Sequence, residues 1–150
     1  MELECKKLPF RQYERIHDAA IPVEETMEYI VPDYCPDIGR ILYTDGSVFL
    51  RSKEYIDGKI ELNGVVKAAV LYLPENSSTL RSMEVVVPFT CRSELKDAGE
   101  CVFLVQGRLQ EAEARLLNPR KLLLRVNVLE EVAAYSIQKV ELIEEITAEE

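Results

Sequence analysis

The residues whose types and spacing could support catalysis lie in one stretch, Val31 to Arg40 (VPDYCPDIGR), which holds Asp33, Cys35 and Asp37. Paired carboxylates can divide general acid and base roles when their pKa values are separated, and a thiol becomes a nucleophile when a base activates it. The one histidine, His17, lies before a predicted strand, and nothing in the sequence identifies it as such a base. Because Asp after Pro is an ordinary turn residue, we predict an architectural corner here, and we predict that the chain is not an enzyme.

The two prolines of this stretch determine its expected shape. Pro32 and Pro36 each lack a backbone donor and push the preceding residue toward an extended conformation. A strand must therefore end here. Asp37 can accept hydrogen bonds from the amides that follow, and Ile38 begins a set of apolar residues at the i, i+3, i+4 spacing of one helical face. The pattern predicts a short helix from Asp37 to Leu42 that plugs an edge of the core.

The four cysteines, Cys5, Cys35, Cys91 and Cys101, form no CxxC pair and lie far from His17 in the sequence. Metal-ligand spacing is absent, and we expect neither a metal nor another cofactor. A disulfide between Cys91 and Cys101 is geometrically possible across antiparallel strands, whereas free buried thiols are the commoner state in a reducing cytosol. The chain also lacks GxSxG, HExxH and a phosphate-binding glycine loop.

Composition and charge limit the possible partners. The chain has 150 residues, 47% of them hydrophobic, and a net charge of −9. That charge repels phosphate backbones and anionic lipid surfaces, so we expect no nucleic-acid partner. No apolar run has the length of a membrane span, and the N-terminal residues lack the apolar region of a signal peptide. We therefore expect a cytoplasmic protein. Much of the acidic excess lies in the last ten residues, ELIEEITAEE.

Alternation of apolar and polar residues with a period of two, which is typical of strands, dominates the sequence. It is clearest from Lys59 to Leu73, where a bulge or a close backbone approach is expected near Gly64. The preceding segment, Ser47 to Ile56, is also strand-like. Asp57-Gly58 between them is a pair that type I′ hairpin turns prefer. We predict that these two strands pair antiparallel.

The pattern continues through the second half of the chain. A strand ending near Phe89 is limited by Pro88, which removes one ladder donor. Two further strands, Glu100 to Leu117 and Lys121 to Tyr135, flank the turn sequence Asn118-Pro119-Arg120 and should form a second hairpin. In the N-terminal third, weaker alternation over Phe10 to His17 and Ile21 to Val31 indicates one or two more strands.

These elements predict one all-β domain over residues 1–150, an antiparallel β-sandwich or partly closed barrel of roughly six to eight strands with the short helical plug. Its core should span roughly residues 20–135, and residues 136–150 should be a strand end or an acidic linker. We expect the architectural role to fall on the turn and strand-end residues Pro32, Asp33, Pro36, Asp37, Ile38, Asp57, Gly58, Pro88, Phe89, Asn118, Pro119 and Arg120.

Four segments in order, VPDYCPDIGRIL, DGKIELNGVVKAAVLYLPE, SMEVVVPFTC and LLNPRKLLLRVNV, resemble the SPOCS domain family of SipL-like spore coat assembly proteins in Firmicutes. The resemblance covers roughly residues 20–135 and adds no catalytic residues. Many family members carry further SPOCS domains and a C-terminal LysM module. Because this sequence holds one such domain and no LysM motif, we expect it to be the N-terminal piece of a longer chain.

The resemblance implies a non-catalytic structural and protein-interaction module in endospore coat assembly, working in the mother cell at the forespore surface. Its partner would be a coat morphogenetic protein or a second copy of the chain, since exposed strand edges can add a strand from another chain. Two other hypotheses stay open. One is a small-molecule or glycan-binding module with a pocket between the sheets. The other is a thiol-dependent hydrolase that uses Cys35 or Cys91.

Overall fold

A computed structural model describes the backbone of residues 2–96 and 99–149 and the side chains of residues 8–96 and 99–139. The described residues form six β-strands, all of them long. The strands are β1 (Glu2–Ile30), β2 (Ile38–Ile56), β3 (Lys59–Pro74), β4 (Arg81–Glu94), β5 (Cys101–Asn118) and β6 (Lys121–Glu149).

The strands form two separate antiparallel sheets of three strands each, in the orders β1-β6-β5 and β2-β3-β4. The sheets face each other, with β2 beside β5 at one side and β1 beside β4 at the other. The all-β prediction is therefore confirmed. Of the two architectures that the sequence left open, the structure is sandwich-like, and no closed barrel forms because each sheet keeps its own edge strands.

Three hairpins connect neighbouring strands, and the β3–β4 hairpin has the loop of residues 75–80. At the β2–β3 turn, Asp57 and Gly58 have φ angles of +51° and +74°, the positive values that a type I′ turn requires at both central positions. The β5–β6 turn is Pro119-Arg120, between the paired residues Asn118 and Lys121. The remaining strand, β1, pairs with β6 along its whole length, so the two ends of the chain lie in adjacent strands.

Alternating apolar side chains fill the space between the sheets. The central strands β3 and β6 and the edge strand β4 contribute the fully or nearly fully buried rows, because their inward faces are covered by the opposite sheet. Burying one such side chain contributes roughly 1.5–3 kcal/mol. The largest cluster comprises Val31, Ile38, Val66, Ala68, Val70, Tyr72, Met83, Val85, Val87, Phe89, Leu122, Leu124, Val126 and Val128.

The helical plug predicted over residues 37–42 is wrong. Ile38 is the first residue of β2, and within the described residues the chain contains no helix. The amide of Ile38 donates to the Pro119 carbonyl, and the Asp37 carbonyl accepts from the amide of Glu75. A helix of six residues is marginal by itself, whereas pairing with β3 gives this segment a ladder of backbone hydrogen bonds. Ile38 still fills the core, from a strand instead of a helix.

The N-terminal third forms one strand, the smaller of the two numbers that its sequence pattern left open. The segments expected as one or two strands, residues 10–17 and 21–31, lie in the single strand β1, except that β1 ends at Ile30 and Val31 lies just beyond it. For residues 136–150 the sequence allowed either a strand end or an acidic linker, and residues 136–149 belong to β6. Because β5 begins at Cys101, opposite Ser136, the sheet narrows beyond this point to a two-stranded ribbon of β1 and β6.

The backbone of β2 and the ring of Phe89 both approach Gly64 closely, and the sequence predicted a bulge or such an approach near this glycine. A β-carbon there would lie 2.6 Å from the Phe49 carbonyl oxygen and 2.7 Å from Cζ of Phe89. The β2–β3 register also shifts beside it, between Leu50 and Ser52. Glycine is therefore required by packing at this point of the sheet.

Candidate functional site

The Arg120 side chain organises the corner that the motif VPDYCPDIGR forms. One guanidinium nitrogen donates to the carbonyl oxygen of Cys35 at 2.6 Å and to Oδ1 of Asp37 at 3.2 Å. The other donates to the carbonyl oxygens of Val31 and Pro32, at 3.0 Å and 2.8 Å. A planar guanidinium suits this arrangement because it presents several N–H donors in a fixed geometry.

Backbone hydrogen bonds join the same two segments. The amide of Val31 donates to the Arg120 carbonyl, and the amide of Cys35 donates to the Pro32 carbonyl within the turn. On the other side, Asn118 Oδ1 accepts from the amide of Arg120 and fixes the β5–β6 turn. The corner between β1 and β2 is therefore bound to the β5–β6 turn by main-chain and side-chain contacts together.

The predicted architectural residues lie in three places. The structure brings together Pro32, Asp33, Pro36, Asp37 and Ile38 with Asn118, Pro119 and Arg120 at the corner. Asp57 and Gly58 lie at the opposite end of β3. Pro88 and Phe89 lie within β4, where Pro88 is exposed and Phe89 is buried against Gly64.

The corner has no arrangement for nucleophilic catalysis. His17 lies thirteen positions along β1 from Ile30, about 40 Å at the rise of a strand, so it cannot activate Cys35. Its Nε2 lies 3.2 Å from Oγ of Ser93 on β4. No carboxylate among the described side chains hydrogen-bonds to the imidazole, so the orienting third group of a catalytic triad is missing. This bond ties β1 to β4.

Metal ligands and reactive thiols are also unsupported in the described part of the chain. There, no three side chains of the metal-binding types cluster. Cys35, Cys91 and Cys101 are free thiols, and Cys5 lies outside the described side chains. Burial, and next to it the nearby Glu130 carboxyl, raise the pKa of Cys91 to about 11. A thiol with so high a pKa is a poor nucleophile at neutral pH.

The outer face of the β1-β6-β5 sheet carries an exposed apolar patch. We call Tyr13, Val102, Leu104 and Tyr135 the outer patch; they line one shallow depression together. Tyr13 is 57% exposed, Leu104 58% and Val102 40%. Single exposed apolar residues are ordinary, but a contiguous group on one sheet face is typical of an interaction surface.

Next to the outer patch lies a second depression of about 620 Å³, whose floor includes Ala133. Ala133 pairs with Leu104 on β5 and with Asp18 on β1. Its methyl group stands in the outward row of β6 between the larger side chains of Glu131 and Tyr135. The depression therefore arises from one small residue among large ones.

Charged side chains surround this second depression. The Arg15 guanidinium donates to the hydroxyl of Tyr135 at 2.8 Å and lies over its ring. Arg15 also lies 3.4 Å from Asp18, and Arg108 pairs with Glu131. The hydrogen bond and charge of Tyr135, with the charge of Asp18, raise the pKa of Arg15. The charged side chains that line the depression are thus Arg15, Asp18 and Glu131, and Arg108 lies beside it as the partner of Glu131.

Neither the outer patch nor one buried acid was singled out from the sequence. Glu130 is 0% exposed, and neither of its carboxyl oxygens has a hydrogen-bond partner among the described residues. A signal for it does exist, because Glu130 falls in phase with the inward row Leu122, Leu124, Val126, Val128, Val132 and Ala134. The sequence signal for the outer patch was weaker. The sequence did not show which face of β5 is buried, so its exposed apolar residues could not be told from its buried ones.

No helix in the described part of the chain is long and apolar enough to cross a membrane. No curated protein and no solved structure matches the chain. The model of the SipL SPOCS domain matches residues 37–117, which run from the corner through β2, β3 and β4 and nearly to the end of β5. Since this segment is more than half of the 150 residues, the resemblance seen in the sequence is confirmed and the chain belongs to the SipL SPOCS domain family.

Proposed function

We propose that the chain is a non-catalytic protein-interaction module of endospore coat assembly, and that it acts in the mother-cell cytosol at the forespore surface. Membership of the SipL SPOCS family supports the sporulation setting. The observation that carries the interaction role is the outer patch, a group of exposed apolar side chains on one sheet face.

The occupant that fits this face best is a second copy of the chain. A two-fold interface uses the same surface on both partners, so that surface must be complementary to itself. Leu104 projects from the face, and the depression over Ala133 lies directly beside it on the paired strand. When two such faces meet about a two-fold axis, the Leu104 side chain of each copy can enter the depression of the other.

The charged side chains near the depression also favour a second copy of the chain as the partner. A net charge of −9 opposes association of two copies over most of the surface. In and beside the depression, however, Arg15 pairs with Asp18 and Arg108 pairs with Glu131, so the charges balance. Arg15 of one copy can then face an acid of the other without a net repulsion. Self-association would present two copies of the module to coat proteins, which strengthens weak contacts by multivalency.

The test is the mass of the purified protein in sedimentation equilibrium across a concentration series, for the wild type and Leu104→Asp. We expect a concentration-dependent dimer for the wild type and a monomer for Leu104→Asp. Leu117→Asp is the matched control, because Leu117 lies on β5, is 45% exposed, and belongs to the other end of the strand. A monomeric wild type at the highest concentration, or equal dimerisation of all three proteins, would contradict the proposed occupant.

The coat partner is tested separately by affinity capture from sporulating cells. Identified coat morphogenetic proteins retained by the wild type and by Leu117→Asp would support the setting. If Leu104→Asp loses a coat protein while the wild type stays monomeric in sedimentation, the outer patch belongs to that protein and not to a second copy. If no coat protein is retained by any variant, the proposed place in coat assembly fails.

A small-molecule or glycan pocket between the sheets has less support. Such a site would be a deep apolar cavity with a few convergent polar groups. In the described residues, the inter-sheet space is instead occupied by the buried rows of β3, β4 and β6. The depressions described above lie on the outer face of the β1-β6-β5 sheet.

A further inference from the structure

Glu130 is a carboxylic acid in the middle of the apolar core. It lies on the inward face of β6 between the buried residues Val128 and Val132, and it is itself 0% exposed. Both of its carboxyl oxygens are without a hydrogen-bond partner in the described part of the chain. An ionised carboxylate without partners is very costly in such a place, whereas a neutral acid costs much less.

The opposite strand makes room for this side chain. Gly107 on β5 is the cross-strand partner of Glu130. A β-carbon on Gly107 would lie 2.5 Å from Oε1 and 2.9 Å from Cδ of Glu130, and 2.9 Å from a methyl group of Val48 on β2. The carboxyl group therefore occupies the space that a side chain at position 107 would fill. This geometry shows that Glu130 points into the core and does not reach out to solvent.

Among the side chains that the structure describes, the neighbours of Glu130 give it no compensating charge. The residues that meet it from β1, β5 and β2 are Ile21, Gly107 and Val48, none of which titrates. From β4 comes Cys91, a thiol whose pKa burial raises to about 11. β3 contributes Leu62 opposite Cys91.

A histidine lies further along β1. His17 contacts Ser93 on β4. It pairs with Ala134, four residues beyond Glu130 on β6. At the rise of a strand, four residues correspond to roughly 13 Å, so this imidazole does not neutralise the acid.

We infer that Glu130 makes closure of the two sheets proton-dependent: the sandwich closes over this carboxyl as a neutral acid and loosens there when the proton is lost. Burial raises the pKa of Glu130 from its ordinary value of 4.5. The unfolded chain then loses the proton at lower pH than the folded chain does. Stability is therefore greatest below the unfolded pKa, falls as the pH rises between the two pKa values, and stays at the reduced level above the folded pKa.

The experiment is urea unfolding of the wild type and Glu130→Gln across a pH series from acid to mildly alkaline, followed by tyrosine fluorescence. In the interval between the two pKa values, the unfolding equilibrium constant of the wild type should rise about tenfold per pH unit relative to that of Glu130→Gln. Comparing the two proteins removes the shared contribution of the other carboxylates. Equal pH slopes for the two proteins would overturn the inference.

Glu84→Gln is the matched control. Glu84 has the same side chain within a strand but is exposed on β4 between Met83 and Val85. Its pH profile should follow that of the wild type. If Glu130→Gln does not fold, the carboxyl carbon of Glu130 can be titrated by NMR in the wild type. Titration of that carbon at the ordinary glutamate pH would likewise contradict the inference.

Discussion

Arg120 donates a hydrogen bond of 2.6 Å to the main-chain carbonyl oxygen of Cys35, 85 residues away in the chain. The same guanidinium also contacts Val31, Pro32 and Asp37. One side chain therefore satisfies carbonyl groups of a corner in which two prolines supply no amide donors. This contact joins the chain segment that enters the β2-β3-β4 sheet to a hairpin of the other sheet.

Removing that side chain should destabilise the domain. We expect Arg120→Ala to lower the free energy of unfolding by roughly 2–4 kcal/mol, because carbonyls that lose a charged donor stay partly buried. Arg120→Lys should recover little, since a lysine ammonium cannot reproduce the fork of donors. Urea unfolding measures both effects. Arg92→Ala breaks the pair of an exposed Arg92 with a half-buried Glu61 and should cost less than about 1 kcal/mol. A similar loss for Arg92 and Arg120 would refute the role of the corner.

A side chain at position 107 should destabilise the domain, because Glu130 occupies the space that it would need. We expect Gly107→Ala to destabilise the domain by about 1–3 kcal/mol through overpacking, since the new methyl group would meet the Glu130 carboxyl. In a Glu130→Ala background, the same change should cost clearly less. A double-mutant cycle with urea unfolding measures this coupling. Equal costs in both backgrounds would show that Val48 or the backbone, and not Glu130, excludes the methyl group.

The Cys91 thiol should be slow to react. Burial, followed by the charge of Glu130, raises its pKa to about 11, so its thiolate is roughly a hundredfold rarer at pH 8 than that of a thiol with a pKa near 9. Alkylation followed by mass spectrometry should label Cys91 far more slowly in the folded protein than in urea. Fast labelling of native Cys91 at neutral pH would instead support the thiol-hydrolase hypothesis.

The β2–β3 turn should depend on Gly58. Its φ angle of +74° is strained for residues with a β-carbon. We expect Gly58→Ala to lower the free energy of unfolding by about 1 kcal/mol. Gly58→Asn should cost less, because asparagine tolerates positive φ better than alanine does. Thermal or urea unfolding of both variants measures the difference, and an equal cost for both would mean that backbone conformation is not the cause.

Much of the fold could be predicted from the sequence, because strand alternation and turn chemistry are local. The alternation from Lys59 to Leu73 corresponds to β3, and Asp57-Gly58 lies at the β2–β3 turn. The turn at Asn118-Pro119-Arg120 separates β5 from β6. The family was also readable from four ordered motifs, and the match to residues 37–117 confirms it.

The wrong helical plug and the number of N-terminal strands that the sequence left open have the same physical origin. Residues 37–42 carry a helical spacing of apolar residues but form the start of β2, because pairing with β3 outweighs a marginal local preference. The weak alternation of the N-terminal third becomes one strand because β6 offers it a continuous partner. Local patterns contain no information about which distant strand is available for pairing.

By itself, the sequence determined an all-β chain with alternating faces, two tight turns and membership of the SPOCS family. Only the tertiary structure decided which strands are neighbours, that Arg120 holds the corner, that Leu104 points outward beside Ala133, and that Glu130 points inward beside Gly107. The reason is that a period of two assigns residues to two faces, whereas the identity of the buried face depends on what the opposite sheet covers.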